Sequence, residues 1–167
     1  VINKTSYKIP DYLENYINIG KKLLDNNSET HVIHHDARDL CPAYCLYKIS
    51  LSGVNSGFNN KLFIDLGEFL RRSGVSSVNT IVDVINSVML NFGQPMHAFD
   101  ADEINGVISV RMAKKGEKIE ALNDKAYDLS PESLIIADES GPLAIAGIIG
   151  GKRGSVSNNT KNILLEA

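Results

Sequence analysis

Three places in this sequence hold side chains or bare backbone of the kind that does chemistry. The first is Gly93-Gln94-Pro95-Met96-His97-Ala98-Phe99-Asp100, where an imidazole and a carboxylate fall in a segment that Gly and Pro, within three positions, keep from regular structure. Such a loop holds His97 at a fixed point. The histidine either fills a gap beside Asp100 or offers its ring nitrogens to a ligand. The second is Leu143-Ala144-Ile145-Ala146-Gly147-Ile148-Ile149-Gly150-Gly151, an apolar strand whose small residues leave its backbone open to close approach. It reads equally as a ligand-facing strand or as tight sheet packing with a glycine turn. The third is Glu166, a carboxylate arriving on Ile163-Leu164-Leu165. Glu166 either points to water or, if buried, needs a partner such as a ligand hydroxyl.

Other groups narrow the chemistry. No Ser-His-Asp order can be defended, and Cys45 has no base at a recognisable spacing, so any hydrolysis uses water directly rather than a covalent nucleophile. Cys41 and Cys45 form a C-x3-C pair with no second pair, which fits neither a zinc site nor a disulfide framework. The glycines of residues 147–151 lack the Gly-Lys-Ser/Thr ending of a phosphate loop. Lys114, Lys115, Lys118, Lys152 and Arg153 border the second half of the chain, either as solubilising charge or as contacts to a phosphate backbone.

Positioning elements follow from the patterning. Residues 11–26 after Pro10 have helical spacing through Leu13, Tyr16, Ile17 and Leu24. Residues 27–40 are aperiodic apart from His31-Val32-Ile33-His34, a short strand or a linker. Residues 43–51 read as a strand ending at Ser52-Gly53. A helix starting at Asn59-Asn60 carries Leu62, Phe63, Leu66, Phe69 and Leu70 on one side and closes on Arg71-Arg72 and Gly74. A stronger one carries Ile81, Val84, Ile85, Val88, Met89 and Phe92 on one stripe, with Thr80-x-x-Asp83 as its expected cap and Gly93 as its stop. After Asp102 the pattern changes to strands at 107–111, 117–122, 134–137, 143–149 and 163–165. Asn123-Asp124 and Ser140-Gly141 supply hairpin turns. Helices followed by strands predict an α+β fold whose second half is mainly antiparallel sheet.

With 167 residues and 43% hydrophobic content, one domain has enough material for a core. A net charge of -3 gives no general field for a polyanion, so any nucleic-acid contact is local or lies elsewhere in a larger protein. No apolar run approaches the roughly 20 residues that span a bilayer, and Val1-Ile2-Asn3-Lys4 does not read as a secretory signal, which points to the cytosol. The start without Met and the stop after an apolar run both read as cuts within a longer polypeptide.

Six motifs occur together and in one order: Asp39-Leu40-Cys41-Pro42-x-Tyr44, Val88-Met89-Leu90, residues 93–100, residues 136–142, Ala146-Gly147-Ile148-Ile149-Gly150-Gly151, and Leu164-Leu165-Glu166-Ala167. Residues 39–167 thereby resemble the editing module of bacterial phenylalanyl-tRNA synthetase beta subunits, with residues 1–38 as an N-terminal helix and linker. The resemblance implies a β-sandwich of unusual topology flanked by helices in a three-layer ββα arrangement. It implies a beta subunit paired with a catalytic alpha subunit in an α2β2 assembly that binds tRNA(Phe). ATP and Mg2+ serve the whole enzyme and no cofactor belongs to this segment. The implied task is hydrolysis of tyrosine misattached to tRNA(Phe), with Glu166 reading the tyrosine hydroxyl and His97 orienting water or substrate. Asn86, Ala146, Gly147 and Gly150 would then line the aminoacyl site. In one departure, Ile85 stands where the family usually has Thr, so that Ile85 either extends the core or marks a non-catalytic scaffold that keeps the fold.

Overall fold

In the computed structural model of the protein, residues 28–30, 33–51 and 60–167 are described. The expected helix at 11–26 lies outside them. Four-stranded sheet A runs β1 (Ser28–Thr30), β3 (Leu46–Ser50), β11 (Asn162–Glu166), β4 (His97–Asp100), antiparallel throughout. Five-stranded sheet B runs β10 (Ile149–Gly150), β9 (Gly141–Ile145), β8 (Leu134–Asp138), β5 (Ile108–Met112), β2 (Ile33–His35). Its one parallel pair is β2 with β5. Strands β6 (Lys118–Glu120) and β7 (Ala126–Asp128) form a separate hairpin. The first two strands precede residue 39 and join one sheet each, so this stretch is part of the sandwich.

The layers follow from alternation along the strands. Leu46, Phe99 and Leu164 of sheet A interdigitate with Ile108, Val110, Ile136, Leu143 and Ala144 of sheet B, making the main core between the sheets. The opposite face of sheet A, with Ala98 and Ile163, packs on helix α2 (Thr80–Phe92) through Ile85 and Ile81. A third cluster, Ala113, Ile119, Leu129, Ile135 and Ala137, seats the β6–β7 hairpin on sheet B. The α+β class and the sandwich with a helical layer are therefore as the sequence and its resemblance imply.

Several local expectations change. Helix α2 is capped by Asn79, whose side chain accepts from Val82 N at 3.0 Å, and not by Thr80. Asp83 instead turns back, accepting from Ser77 Oγ and Val78 N. Gly93 ends the helix at φ 73, with its N–H on Met89 O at 2.8 Å, the left-handed stop that glycine permits. Helix α1 (Asn60–Arg72) closes where Glu68 holds Arg71 and Arg72. Residues 97–100, read as irregular, form β4, because β11 pairs with them residue for residue once the Gly-Pro break has passed. Residues 143–149, read as one strand, are a hairpin: β9 turns through residues 146–148, with Gly147 at φ 68, into β10.

Candidate functional site

Register decides which side chains meet. In the β4–β11 pair Glu166 is directly opposite His97, and in the β3–β11 pair it is directly opposite Leu46. Directly opposed residues in an antiparallel sheet project to one face with Cβ atoms about 5 Å apart. Leu46, Glu166 and His97 thus form one row on the inner face of sheet A, above the row of Leu164 and Phe99. Across the sandwich, Val110, Ile136, Ala144 and Gly150 form the corresponding row of sheet B. The rows meet at His97, for a Cβ built on Gly150 would lie 2.8 Å from His97 Cε1 and 3.2 Å from Nε2. Leu122 Cδ1 closes the same spot at 3.0 Å. Glycine at 150 is what lets the imidazole stand there.

The environment sets the ionisation of both groups. Burial lowers the His97 pKa, so the ring is neutral near pH 7. Phe99, two residues on and on the same face, meets it edge-on with centroids 4.7 Å apart. Burial raises Glu166 to about 7, an effect the Tyr44 hydroxyl partly opposes. Glu166 Oε2 is fully buried and has no hydrogen-bond partner. A half-neutralised carboxyl beside a neutral imidazole, on a floor of small residues, can hydrogen-bond a polar ligand group and hold a water without a metal. The described residues contain no cluster of three His, Cys, Asp or Glu able to bind one.

The other sequence candidates fall in different places. Ala146 is half-buried against the main core, and its N–H donates to Leu134 O at 3.0 Å. Gly147 is exposed at the hairpin tip beside Ile148, at the rim and not the floor. Asn86 belongs to helix α2, on the far side of sheet A from His97 and Glu166. Its neighbour Ile85 is buried against Ala98 and Ile163, so the apolar side chain extends the helix–sheet core. Asp100 is no partner for His97, since three residues along a strand reverse the face. Its carboxylate accepts from Thr160 Oγ1 at 2.6 Å and from Asp102 N at 3.0 Å, a structural cap. That removes a His97–Asp100 dyad.

Three of the five basic residues are engaged with acids. Lys118 pairs with Asp128, Lys152 with Glu120 and Asp124, and Arg153 with the buried Asp138, all at 2.7–2.8 Å. Tyr44 was legible only as part of a motif, yet its hydroxyl and Glu166 perturb each other's ionisation. The signal was its place two residues before Leu46, on the same face of the extended chain.

This sandwich and site define a class: residues 47–167 match the B3/4 domain family, and the chain belongs to it. It is similar to phenylalanine--tRNA ligase beta subunits, sharing 40% identity over its whole length with that of Yersinia pestis, where it spans 20% of the relative. With the beta subunit of Neisseria meningitidis serogroup A it shares 50% identity over 98 residues, 59% of this chain and 12% of the relative. The chain therefore spans about a fifth or less of these curated relatives. Its fold is that of an N-terminal fragment of the phenylalanyl-tRNA synthetase beta subunit from Pyrococcus horikoshii, at TM-score 0.56 and 16% identity, covering 81% of this chain and 42% of that one. No described helix is long and apolar enough to cross a membrane.

Proposed function

We propose that the chain is the editing segment of a phenylalanine--tRNA ligase beta subunit and hydrolyses tyrosine from mischarged tRNA(Phe). The observation that carries this is the cross-strand pair: a buried carboxyl and a neutral imidazole share one face, opposite backbone bared by Gly150. A synthetic pocket shaped for phenylalanine excludes tyrosine only by crowding one hydroxyl, which discriminates weakly. A second pocket that hydrogen-bonds the phenol discriminates strongly, because phenylalanine leaves its polar group unpaired. Glu166, buried with an unpartnered oxygen, suits that task.

The reaction needs only water. A water held by His97 Nε2 or Nδ1 attacks the ester carbonyl carbon, and its C–O bond forms as the carbonyl oxygen takes negative charge. Collapse breaks the bond to the ribose oxygen, which leaves with the proton that the attacking water gives up; free tyrosine and uncharged tRNA result. Backbone groups of the protein and the terminal ribose position the ester. In this reading the alpha subunit of an α2β2 assembly carries out aminoacylation with ATP and Mg2+, in the cytoplasm, and tyrosine is the ligand of this segment.

The test is release of tyrosine from pre-charged Tyr-tRNA(Phe) by the whole enzyme, compared with an enzyme carrying His97→Ala. Hydrolysis by the parent that slows about 10²-fold in the variant supports the proposal. An inert parent supports the scaffold reading that Ile85 raises.

A further inference from the structure

Among the described residues, the buried side-chain polar atoms without a hydrogen-bond partner are His35 Nε2, Tyr44 Oη and Glu166 Oε2. Buried polar atoms are ordinarily paired, and orphans concentrated in one place call for a reason. These three come from β2, from the segment before β3 and from β11. The Tyr44 ring meets His35 edge-on, with centroids 6.4 Å apart and an interplanar angle of 89°. On its other side Tyr44 lies diagonal to Glu166 on one face: Glu166 is opposite Leu46, and Cys45 and Ala167 extend that register by exchanging backbone hydrogen bonds at 2.8 and 3.0 Å. The two groups shift each other's ionisation across a gap too long or too bent for a well-formed hydrogen bond between Oη and Oε2.

The donors and acceptors run in one direction. His35 Nδ1 accepts from Ala37 N at 3.4 Å, which leaves the ring proton on Nε2 as a donor. Tyr44 can accept that proton's hydrogen bond and donate its own to Glu166 Oε2. The second carboxylate oxygen is then left to accept from a hydroxyl outside the protein. The titratable groups around Glu166 are His97 from β4 and Tyr44, with Cys41 beyond Tyr44; sheet B opposes them with Ala144 and Gly150, which carry no charge.

We infer that Tyr44 is a positioning residue that, backed by His35, turns the Glu166 carboxylate to accept a hydrogen bond from the hydroxyl of a bound tyrosyl group. The role rests on the editing reading above and deepens it. Tyr44 acts through Glu166 and not on the reacting ester, and a ligand hydroxyl completes a chain that is open in the free protein.

The experiment uses the whole enzyme with tRNA(Phe) charged with tyrosine or with phenylalanine. Deacylation is followed from about pH 5.5 to about pH 8.5, spanning the range in which a raised carboxyl titrates, for parent, Tyr44→Phe, Glu166→Gln and the double variant. Tyr44→Phe is expected to cut the Tyr-over-Phe preference about tenfold. It should also move the pH midpoint of that preference upward, because the phenol is the group that holds the Glu166 pKa down. In the Glu166→Gln background the same change should cost nothing further. Thermal stability should change little at about pH 5.5, where Glu166 is mostly protonated, and any loss should appear only as pH rises and the carboxylate that the phenol favours is formed. An unchanged preference and midpoint, or equal losses in both backgrounds, would each overturn the role of Tyr44. A parent with no preference for Tyr-tRNA would instead overturn the editing reading, and this role with it.

Discussion

Glu166 of β11 and His97 of β4 are direct cross-strand partners, so one carboxyl and one imidazole that lie 69 positions apart in sequence share a single row of a sheet. The separation follows from the residue numbers alone, 166 minus 97. Neither strand could slip by one residue without sending its functional side chain into the helix–sheet layer. Site and register are therefore one feature.

Gly150→Ala tests the opposite wall. The added methyl would lie 2.8 Å from His97 Cε1, and the ring is free to rotate away more readily than the backbone can retreat. Deacylation of Tyr-tRNA should fall at least about tenfold while stability changes little, because displacing an orienting group by an ångström costs rate before it costs fold. Wild-type rates in this variant, measured by tyrosine release, would place His97 elsewhere during turnover.

Ile85→Thr addresses the departure from the family pattern. Ile85 is 9% exposed and packs on Ala98 and Ile163, so a hydroxyl there enters an apolar layer. Denaturant unfolding should show a loss of about 2 kcal/mol from the lost methyl packing and the buried hydroxyl. Tyr-tRNA hydrolysis should stay within about twofold, since the helix layer contributes no group to the His97–Glu166 face. A large gain in hydrolysis would show that the substitution had weakened editing.

The pH dependence of stability follows from Glu166. Its folded pKa, about 7, exceeds the ordinary carboxyl value of 4.5, so the folded state binds the proton more tightly than the unfolded state. Its contribution is fully present below about pH 4.5 and is lost as pH rises through about 7. The loss is on the order of 2 kcal/mol once partial exposure is allowed for. Glu166→Gln removes that slope, so the variant should be the more stable protein at pH 8 and not at pH 4.5. His97, lowered by burial, acts oppositely: it weakens the fold as pH falls below the ordinary histidine range, and this part should survive in the variant. Thermal unfolding of both proteins across pH gives the difference directly.

Arg153 separates structural charge from tRNA contact. Its guanidinium holds Asp138, whose side chain is fully buried and also accepts from the N–H groups of Asn105, Ser140 and Gly141. Arg153→Gln should cost about 3 kcal/mol in unfolding by leaving a buried carboxylate without its cation. Affinity for tRNA, and its salt dependence, should be unchanged. A reduced salt slope would mean that Arg153 leaves Asp138 for a phosphate.

Much of this was legible from periodicity. The α2 helix with its Gly93 stop, the Asn123-Asp124 turn and the strands expected at 134–137 and 163–165 follow from spacing, although Val84 and Phe92 of the expected α2 stripe are exposed. What escaped depends on pairing. Residues 97–100 become a strand because β11 offers them a ladder, and no local signal outweighs Gly93 and Pro95. Residues 143–149 bend at Gly147 because the hairpin closes on itself, whereas small apolar residues alone fit a straight strand as well. Asn86 fell with the site by resemblance, but the helix that carries it lies on the outer side of sheet A. Tyr44 escaped because its place two residues before Leu46 points to Glu166 only once β3 is known to pair with β11.

Whether Glu166 reads a ligand hydroxyl is decided by the ratio of Tyr-tRNA(Phe) to Phe-tRNA(Phe) deacylation rates in the whole enzyme with and without Glu166→Ala. A strong preference for tyrosine is expected in the parent, collapsing to near parity in the variant as the hydrogen bond and its desolvation asymmetry disappear. The same ratio in both enzymes would contradict it.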